Sequence, residues 1–156
     1  MITDQRQGKS MHTDSNRKLV FKGLELAALR QLLGPLGGDL PGFHAEFVLD
    51  ELEIDVDDLQ RQLTSGEAPV LVDIREPDEL SSGMLEDARH VRMNEVVFRL
   101  GEIAADKTSE MVLYCRSGHR SLYLAAALQL IGYGNVRSLR GGIRMCQRYG
   151  MVRRAS

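Results

Sequence analysis

The chain has only two cysteines, Cys115 and Cys146, and its four histidines, His12, His44, His90 and His119, follow no metal-ligand spacing. Neither a metal site nor another cofactor is expected from such a set. There is no long uncharged apolar run, so no membrane-spanning helix and no membrane partner are expected. The first ten residues, Met1 to Ser10, lack the apolar core of a secretory leader. A cytoplasmic, reducing compartment is the expectation, and with it a free Cys115 in place of a disulfide. Aromatic residues are few and none is interleaved with basic ones in RNA-binding fashion. At a pI near 6.1 this argues against nucleic acid as a partner.

A further absence concerns charge. From Met111 to Ser156 there is no acidic residue, but there are eight arginines: Arg116, Arg120, Arg137, Arg140, Arg144, Arg148, Arg153 and Arg154. Between Asp39 and Asp87 the balance reverses, with fifteen acidic residues against Arg61 and Arg75. The formal net charge of −2 hides this asymmetry. A positive C-terminal third concentrates small anions or an acidic partner around whatever it carries. Most of these arginines are expected to pair with the acidic half, Arg116 and Arg120 least of all.

What is present is ordinary for one globular domain: 156 residues, 43% hydrophobic and 27% charged. Residues 1–45 read as an N-terminal extension. It comprises a polar tail to Asn16, a helix from Arg17 to Leu33 and a Gly/Pro-rich linker from Leu33 to Gly42. Val20, Leu24, Ala27, Ala28 and Leu32 form the apolar stripe of that helix. The stripe is expected to pack on the domain's own elements. Docking of a partner, or of a second copy in a homodimer, is the alternative.

Residues 46–152 read as the main domain. Short apolar strands are expected at Leu52–Ile54, Val70–Ile74, Arg89–Met93, Met111–Tyr114 and Asn135–Leu139. Helices are expected from Asp55, as N-cap, to Leu63, from Glu95 to about Ala105, from Leu122 to Ile131, and from Gly141-Gly142 to Tyr149. This alternation predicts an α/β domain with a central, mainly parallel five-stranded sheet and helices on both faces. Active sites of such sheets lie beyond the carboxyl ends of the strands. Cys115 and Asp73 both end strands, so they are expected to face one crevice.

Cys115 closes the apolar run Met111 to Tyr114 and is followed by Arg116-Ser117-Gly118-His119-Arg120-Ser121 and then by the helix. A loop that opens a helix can turn several N–H groups onto one point, and a sulfur held there prefers to be a thiolate. Gly118 supplies a backbone conformation that other residues resist. Arg116 and Arg120 can bind oxyanions, and Ser117 and Ser121 each offer a hydroxyl. His119 shapes the loop or meets solvent, with acid–base work the alternative.

Three segments carry a family resemblance. Cys115 to Ser121 resembles the active-site loop of single-domain rhodanese-like sulfurtransferases. Leu71-Val72-Asp73-Ile74-Arg75-Glu76-Pro77-Asp78-Glu79-Leu80 resembles the family's first signature block. Asn135 to Gly142 resembles its closing strand and double glycine. Together they span roughly residues 50 to 150 in the expected order. Two departures stand out. The family's Gly-His-Ile-Pro-Gly-Ala-like segment reads Gly83-Met84-Leu85-Glu86-Asp87-Ala88, and the aromatic residue usual after the double glycine is Cys146. Cys146 therefore reads as a small buried residue, with a resolving thiol the alternative.

The resemblance implies a rhodanese-like fold and transfer of a sulfane sulfur through a Cys115 persulfide. A small anionic donor such as thiosulfate would supply the sulfur, and a thiol, cyanide or protein would accept it. Asp73 and Arg75 read as a salt-bridged pair supporting the loop. Two other functions compete. Cysteine-dependent phosphatases and arsenate reductases also hold a thiolate in an anion loop, but with five residues between Cys and Arg, where this chain has four between Cys115 and Arg120. Rhodanese-like domains can also serve as non-catalytic interaction or regulatory modules.

Overall fold

A computed structural model describes residues 17–37 and 44–154. The polar tail to Asn16 and the second half of the Gly/Pro-rich linker, from Gly38 on, lie outside the described residues. The strands are β1 (Lys18–Lys22), β2 (His44–Val48), β3 (Glu53–Ile54), β4 (Val70–Asp73), β5 (Met84–Leu85), β6 (Arg89–His90), β7 (Met111–Tyr114), β8 (Val136–Leu139) and β9 (Val152–Arg153). The helices are α1 (Gly23–Leu33), α2 (Leu49–Leu52), α3 (Val56–Ser65), α4 (Leu100–Ile103), α5 (His119–Leu130) and α6 (Gly142–Arg148).

Five strands form the central sheet in the order β3-β8-β7-β4-β6, every neighbouring pair parallel. The β-branched and apolar runs of β4 and β7 sit at its centre, buried on both faces as parallel sheets require. Alternation along each strand divides the core in two. Met111, Leu113 and Cys115 of the β7 region face one cluster with Val72, Leu124 to Leu128 of α5, and Leu26, Leu29 and Leu33 of α1. Val112 and Tyr114 face the other, with Leu71, Leu59 of α3, and Ile143 and Cys146 of α6. Helices thus cover both faces. α3 begins as expected, the Asp55 carboxylate accepting a 2.8 Å bond from the Asp58 N–H.

The N-terminal region differs from its sequence reading. Residues 18–22 form a strand instead of the first turns of a helix, paired antiparallel with β2 from Lys18↔Val48 to Lys22↔His44. Its period is two: Leu19 and Phe21 turn inward while Lys18, Val20 and Lys22 are exposed. Fusing a strand to a helix misplaced the apolar stripe. Leu26, Leu29 and Leu33 are buried, whereas Ala27 and Ala28 are exposed, and the side chain of Leu24 lies outside those described. The three leucines pack into the main core, and each contributes roughly 1.5–3 kcal/mol of burial as an upper estimate. Phe21 meets Tyr123 of α5 edge-on at 5.2 Å and Phe47 of β2 at 5.9 Å. The extension is a wing of the fold.

Three further differences follow from short elements. The expected helix from Glu95 to Ala105 is a 3₁₀ turn at Val97–Arg99 followed by a single turn, α4. The expected strand at Arg89–Met93 shrinks to β6 at the sheet edge. Gly83 to Ala88, where the family pattern is broken, still forms a strand, β5, paired antiparallel with β9. Asp87, two residues beyond β5, adopts φ 64°, the one positive φ at a non-glycine among the described residues.

Candidate active site

Cys115 sits one residue beyond the carboxyl end of β7, at 1% exposure. Gly118 holds φ +101° and caps α5, so the chain doubles back over the sulfur. The Gly118 N–H donates to Cys115 Sγ at 3.2 Å, and the Ser121 hydroxyl lies 3.5 Å from it. Burial alone would raise this thiol's pKa. The Ser121 hydroxyl, together with the backbone N–H groups of Ser121, Gly118 and Ser117, outweighs burial and holds it below the ordinary thiol value. The result is a buried sulfur whose anion is better stabilised than that of an ordinary thiol.

The loop is clamped from behind by α6. Its N–H groups at Ile143 and Arg144 donate to the carbonyls of Cys115 at 2.9 Å and of Arg116 at 3.1 Å. This approach leaves no room for a side chain at Gly142, where a Cβ would lie 2.5 Å from the Arg116 oxygen and 2.6 Å from the Cys115 oxygen. The second glycine of the pair is thus explained by contact with the cysteine loop, and the first, Gly141, by its φ of +81°.

Ser138 of β8 is fully buried, and its hydroxyl lies 2.7 Å from that of Ser121. Ser121 Oγ also reaches the Gly118 carbonyl at 3.3 Å, and Ser138 Oγ reaches it at 3.5 Å. When Ser138 donates to Ser121, the single Ser121 proton is free to point at the sulfur. Sequence reading missed Ser138. Its signal was a hydroxyl at an inward position of a strand whose other inward residue, Val136, is apolar.

Asp73 and Arg75 form a buried bidentate pair, with Nε to Oδ1 at 2.9 Å and Nη2 to Oδ2 at 2.6 Å. Asp73 pairs in register with Tyr114 and shares its strand parity with Leu71, so it faces the side of the sheet opposite Cys115. The expectation of one shared crevice is therefore corrected: adjacent strand ends need not point the same way. What reaches the loop is a relay. Arg75 donates to the carbonyls of Glu79 at 3.0 Å and Gly83 at 2.7 Å, fixing the 3₁₀ segment Pro77–Ser82. Glu79 in that segment then grips Arg120 through two bonds of 2.7 and 2.8 Å. Arg120 holds the Glu79 carboxylate well down, at about 2.

The arginine expectations need two corrections. Arg120, expected among the least paired, is committed to Glu79. Arg120, Arg140 and Arg153 are, among the described residues, the C-terminal arginines with acidic partners, all of them in the acidic segment Asp39 to Asp87. Among the described residues, Arg116, Arg137, Arg144, Arg148 and Arg154 have none. A cleft of about 260 Å³ beside the loop is lined by Arg75, Arg116, Arg144, Asp78, Ser81 and Ser82, among others. A larger cavity of about 580 Å³, bordered by α3, β5 and β9, has no cysteine in its lining.

The other loop residues are exposed. Ser117 Oγ and His119 Nδ1 lie 3.1 Å apart, so the imidazole meets its own loop. Cys146 is fully buried in the opposite cluster, and burial pushes its thiol up to about 11. Among the described residues no group of three His, Cys, Asp or Glu side chains could hold a metal ion. No helix among them is long and apolar enough to cross a membrane.

With this geometry in view, comparison with known proteins is specific. The sequence matches the family described as Rhodanese-like domain over residues 55–147. It is 43% identical over 99 residues to a sulfurtransferase of Allochromatium vinosum, covering 64% of this chain and 91% of that protein. It is 35% identical over 85 residues to the thiosulfate sulfurtransferase GlpE of Pseudomonas paraeruginosa, covering 54% of this chain and 74% of that one. The solved structure of the human single-domain sulfurtransferase TSTD1 is similar in fold, with a TM-score of 0.54 at 22% identity, covering 62% of this chain and 95% of that chain.

Proposed function

The chain belongs to the rhodanese-like domain family, and from that premise we propose that it is a sulfurtransferase whose carrier is a Cys115 persulfide. The observation that carries the reading is a buried thiol whose pKa is lowered by hydroxyl and N–H donors at the start of α5. The Cys115 thiolate attacks the outer sulfur of thiosulfate. The S–S bond breaks and sulfite leaves with the bonding electrons. The resulting Cys115–S–S⁻ anion is stabilised by the donors that stabilised the thiolate, so both resting states suit one cradle. An acceptor such as cyanide or a thiolate then takes the terminal sulfur, and the electron pair returns to Cys115. Sulfur transfer of this form needs no obligatory proton relay, which accords with a His119 turned to its own loop. A free thiol of this kind suits a reducing, cytoplasmic setting.

The residues supporting this reading have distinct roles. Ser117, Gly118 and Ser121 hold the sulfur, Arg116 faces the incoming anion, and Arg120 and His119 shape the loop. Asp73 and Arg75 support it through Glu79. The spacing of four residues to Arg120, and that arginine's commitment to Glu79, weigh against a phosphate-ester cradle. Intact-mass measurement after incubation with thiosulfate tests the proposal. One added sulfur, removed by cyanide as thiocyanate and absent in Cys115→Ser, is the expected result. A persulfide that survives Cys115→Ser, or aryl-phosphate hydrolysis with no sulfur transfer, would overturn it.

A further inference from the structure

The cysteine loop is faced by one ion pair to which sulfur transfer itself gives no role. Glu79 Oε1 accepts from Arg120 at 2.7 Å, and Glu79 Oε2 accepts from Arg120 and from the Glu76 N–H, each at 2.8 Å. The Glu79 carbonyl accepts from the buried Arg75 at 3.0 Å and from the Ser82 hydroxyl at 3.1 Å. Backbone and side chain of Glu79 are therefore both fixed. Arg120 has a second contact. Its guanidinium is raised above its ordinary value chiefly by the Glu79 carboxylate, against a loss to burial, and further by the charge of the Cys115 thiolate and a hydrogen bond to its sulfur. One guanidinium thus stands between a carboxylate and the thiolate.

The other charges near the loop are paired, exposed or on the opposite face. Glu76 is bonded to Arg92 at 2.8 and 3.0 Å, Asp73 is paired with Arg75, and His119 lies against Ser117. Arg116 of the loop and Arg144 of α6 are exposed, and Tyr114 points into the opposite cluster. A lone cation beside a thiolate lowers the thiol's titration by about one to three pH units. A cation already bonded to a carboxylate presents a dipole, and its field at the sulfur is weaker. The Glu79 carboxyl is held down at about 2, so this counter-charge is constant wherever the thiol titrates.

We propose that Glu79 acts through Arg120 to limit how strongly Cys115 holds negative charge, and thereby balances the loading of sulfur against its discharge. The two half-reactions make opposite demands. In loading, the Cys115 thiolate attacks the donor sulfur, and a more stabilised thiolate is a poorer nucleophile. In discharge, the S–S bond breaks toward Cys115, and a more stabilised thiolate leaves faster. Glu79 is a positioning residue in this scheme, bonded to Arg120 and acting on the sulfur through it. The balance of half-reactions rests on sulfur being the cargo, whereas the limit on charge requires only the Cys115 thiol.

The test follows alkylation of Cys115 by iodoacetamide, an uncharged reagent, against pH, with peptide mapping to identify the site. The thiolate displaces iodide from carbon, so the rate reports the thiolate alone. Glu79→Gln removes the charge and keeps an acceptor for Arg120. Its alkylation midpoint is expected to fall by about half to one pH unit, and its limiting rate at alkaline pH by roughly two- to threefold. Glu76→Gln removes the same charge from the same segment without a bond to Arg120, and its midpoint moves by less than about a third as much. In single turnovers at saturating thiosulfate and a pH above both midpoints, loading slows roughly two- to threefold in Glu79→Gln, and discharge of the preformed persulfide to cyanide quickens by a similar factor. A midpoint that stays or rises in Glu79→Gln, an equal fall in Glu76→Gln, or loading and discharge that change in the same direction overturns the inference. A native protein that is alkylated at Cys115 but gains no sulfur from thiosulfate overturns the proposed function instead, while the midpoint shift still decides the role of Glu79.

Discussion

Cys115 and Cys146 are both buried, at 1% and 0% exposure, yet their thiols respond to burial in opposite ways. At Cys146, inside α6, no donor among the described residues reaches the sulfur and the surroundings are apolar. Desolvation acts unopposed and the thiol is pushed up to about 11. At Cys115 the same desolvation meets a hydroxyl and three N–H groups at the start of a helix, and the thiol moves down. Burial is therefore no guide to reactivity. What separates the two regions is whether backbone donors are left over, as they are at a helix N-terminus and are not in a helix interior.

The largest expected break in this contrast is in activity. Exchanging the two positions separately, Cys115→Ser should reduce thiosulfate-dependent thiocyanate formation to background, whereas Cys146→Ala should keep it. The latter costs about 1 kcal/mol of stability from the lost packing, read by urea denaturation. Cys146→Ala losing sulfur transfer without unfolding would reinstate it as a partner thiol.

Gly142→Ala attacks the clamp behind Cys115. The added Cβ meets two carbonyl oxygens and must adopt φ +62°, so a loss of about 2–3 kcal/mol in thermal or urea unfolding is expected, with thiolate reactivity falling too. A neutral outcome would mean that the loop tolerates displacement from α6.

Glu79→Gln tests the relay that holds Arg120. The folded-state pKa of Glu79 is lowered, so its ionised form stabilises the fold above the unfolded value near 4.5 and that contribution is lost as pH falls toward about 2. The native protein should exceed the variant by about 1 kcal/mol near neutrality, the pair being partly exposed and screened. The gap should close across that acidic window. A gap independent of pH would assign the effect to packing.

The smallest effect is expected at Ser138→Ala, which leaves Ser121 free to turn its proton to the Gly118 carbonyl. The midpoint of the pH profile for Cys115 alkylation should then rise by less than about one pH unit, with Ser138→Thr restoring it. An unmoved midpoint would leave Ser138 a packing residue.

Much of this site was legible because it is local. The bonds that define the cysteine cradle join Cys115 to Gly118 and Ser121, three and six residues away, so the strand-to-helix junction carries them in its own spelling. Asp55 and the buried strands β4 and β7 were legible for the same reason. The N-terminal wing was not, because β1 has its partner 22 to 30 residues away across the linker, and five residues of alternation were absorbed into the following helical period. The Arg120–Glu79 pair spans 41 positions, and Ser138 lies 17 beyond Ser121.

From the residues alone came a thiol at a strand end, a glycine able to turn the chain over it, and an arginine-rich third free of acid. Those follow from contiguous geometry and composition. The tertiary structure alone decided which arginines are spent and which remain, and which hydroxyl orients Ser121. It also decided that Asp73 lies across the sheet from Cys115. Each of these depends on side chains brought together from distant positions, where pairing energy is set by register and distance and leaves no trace in local spacing.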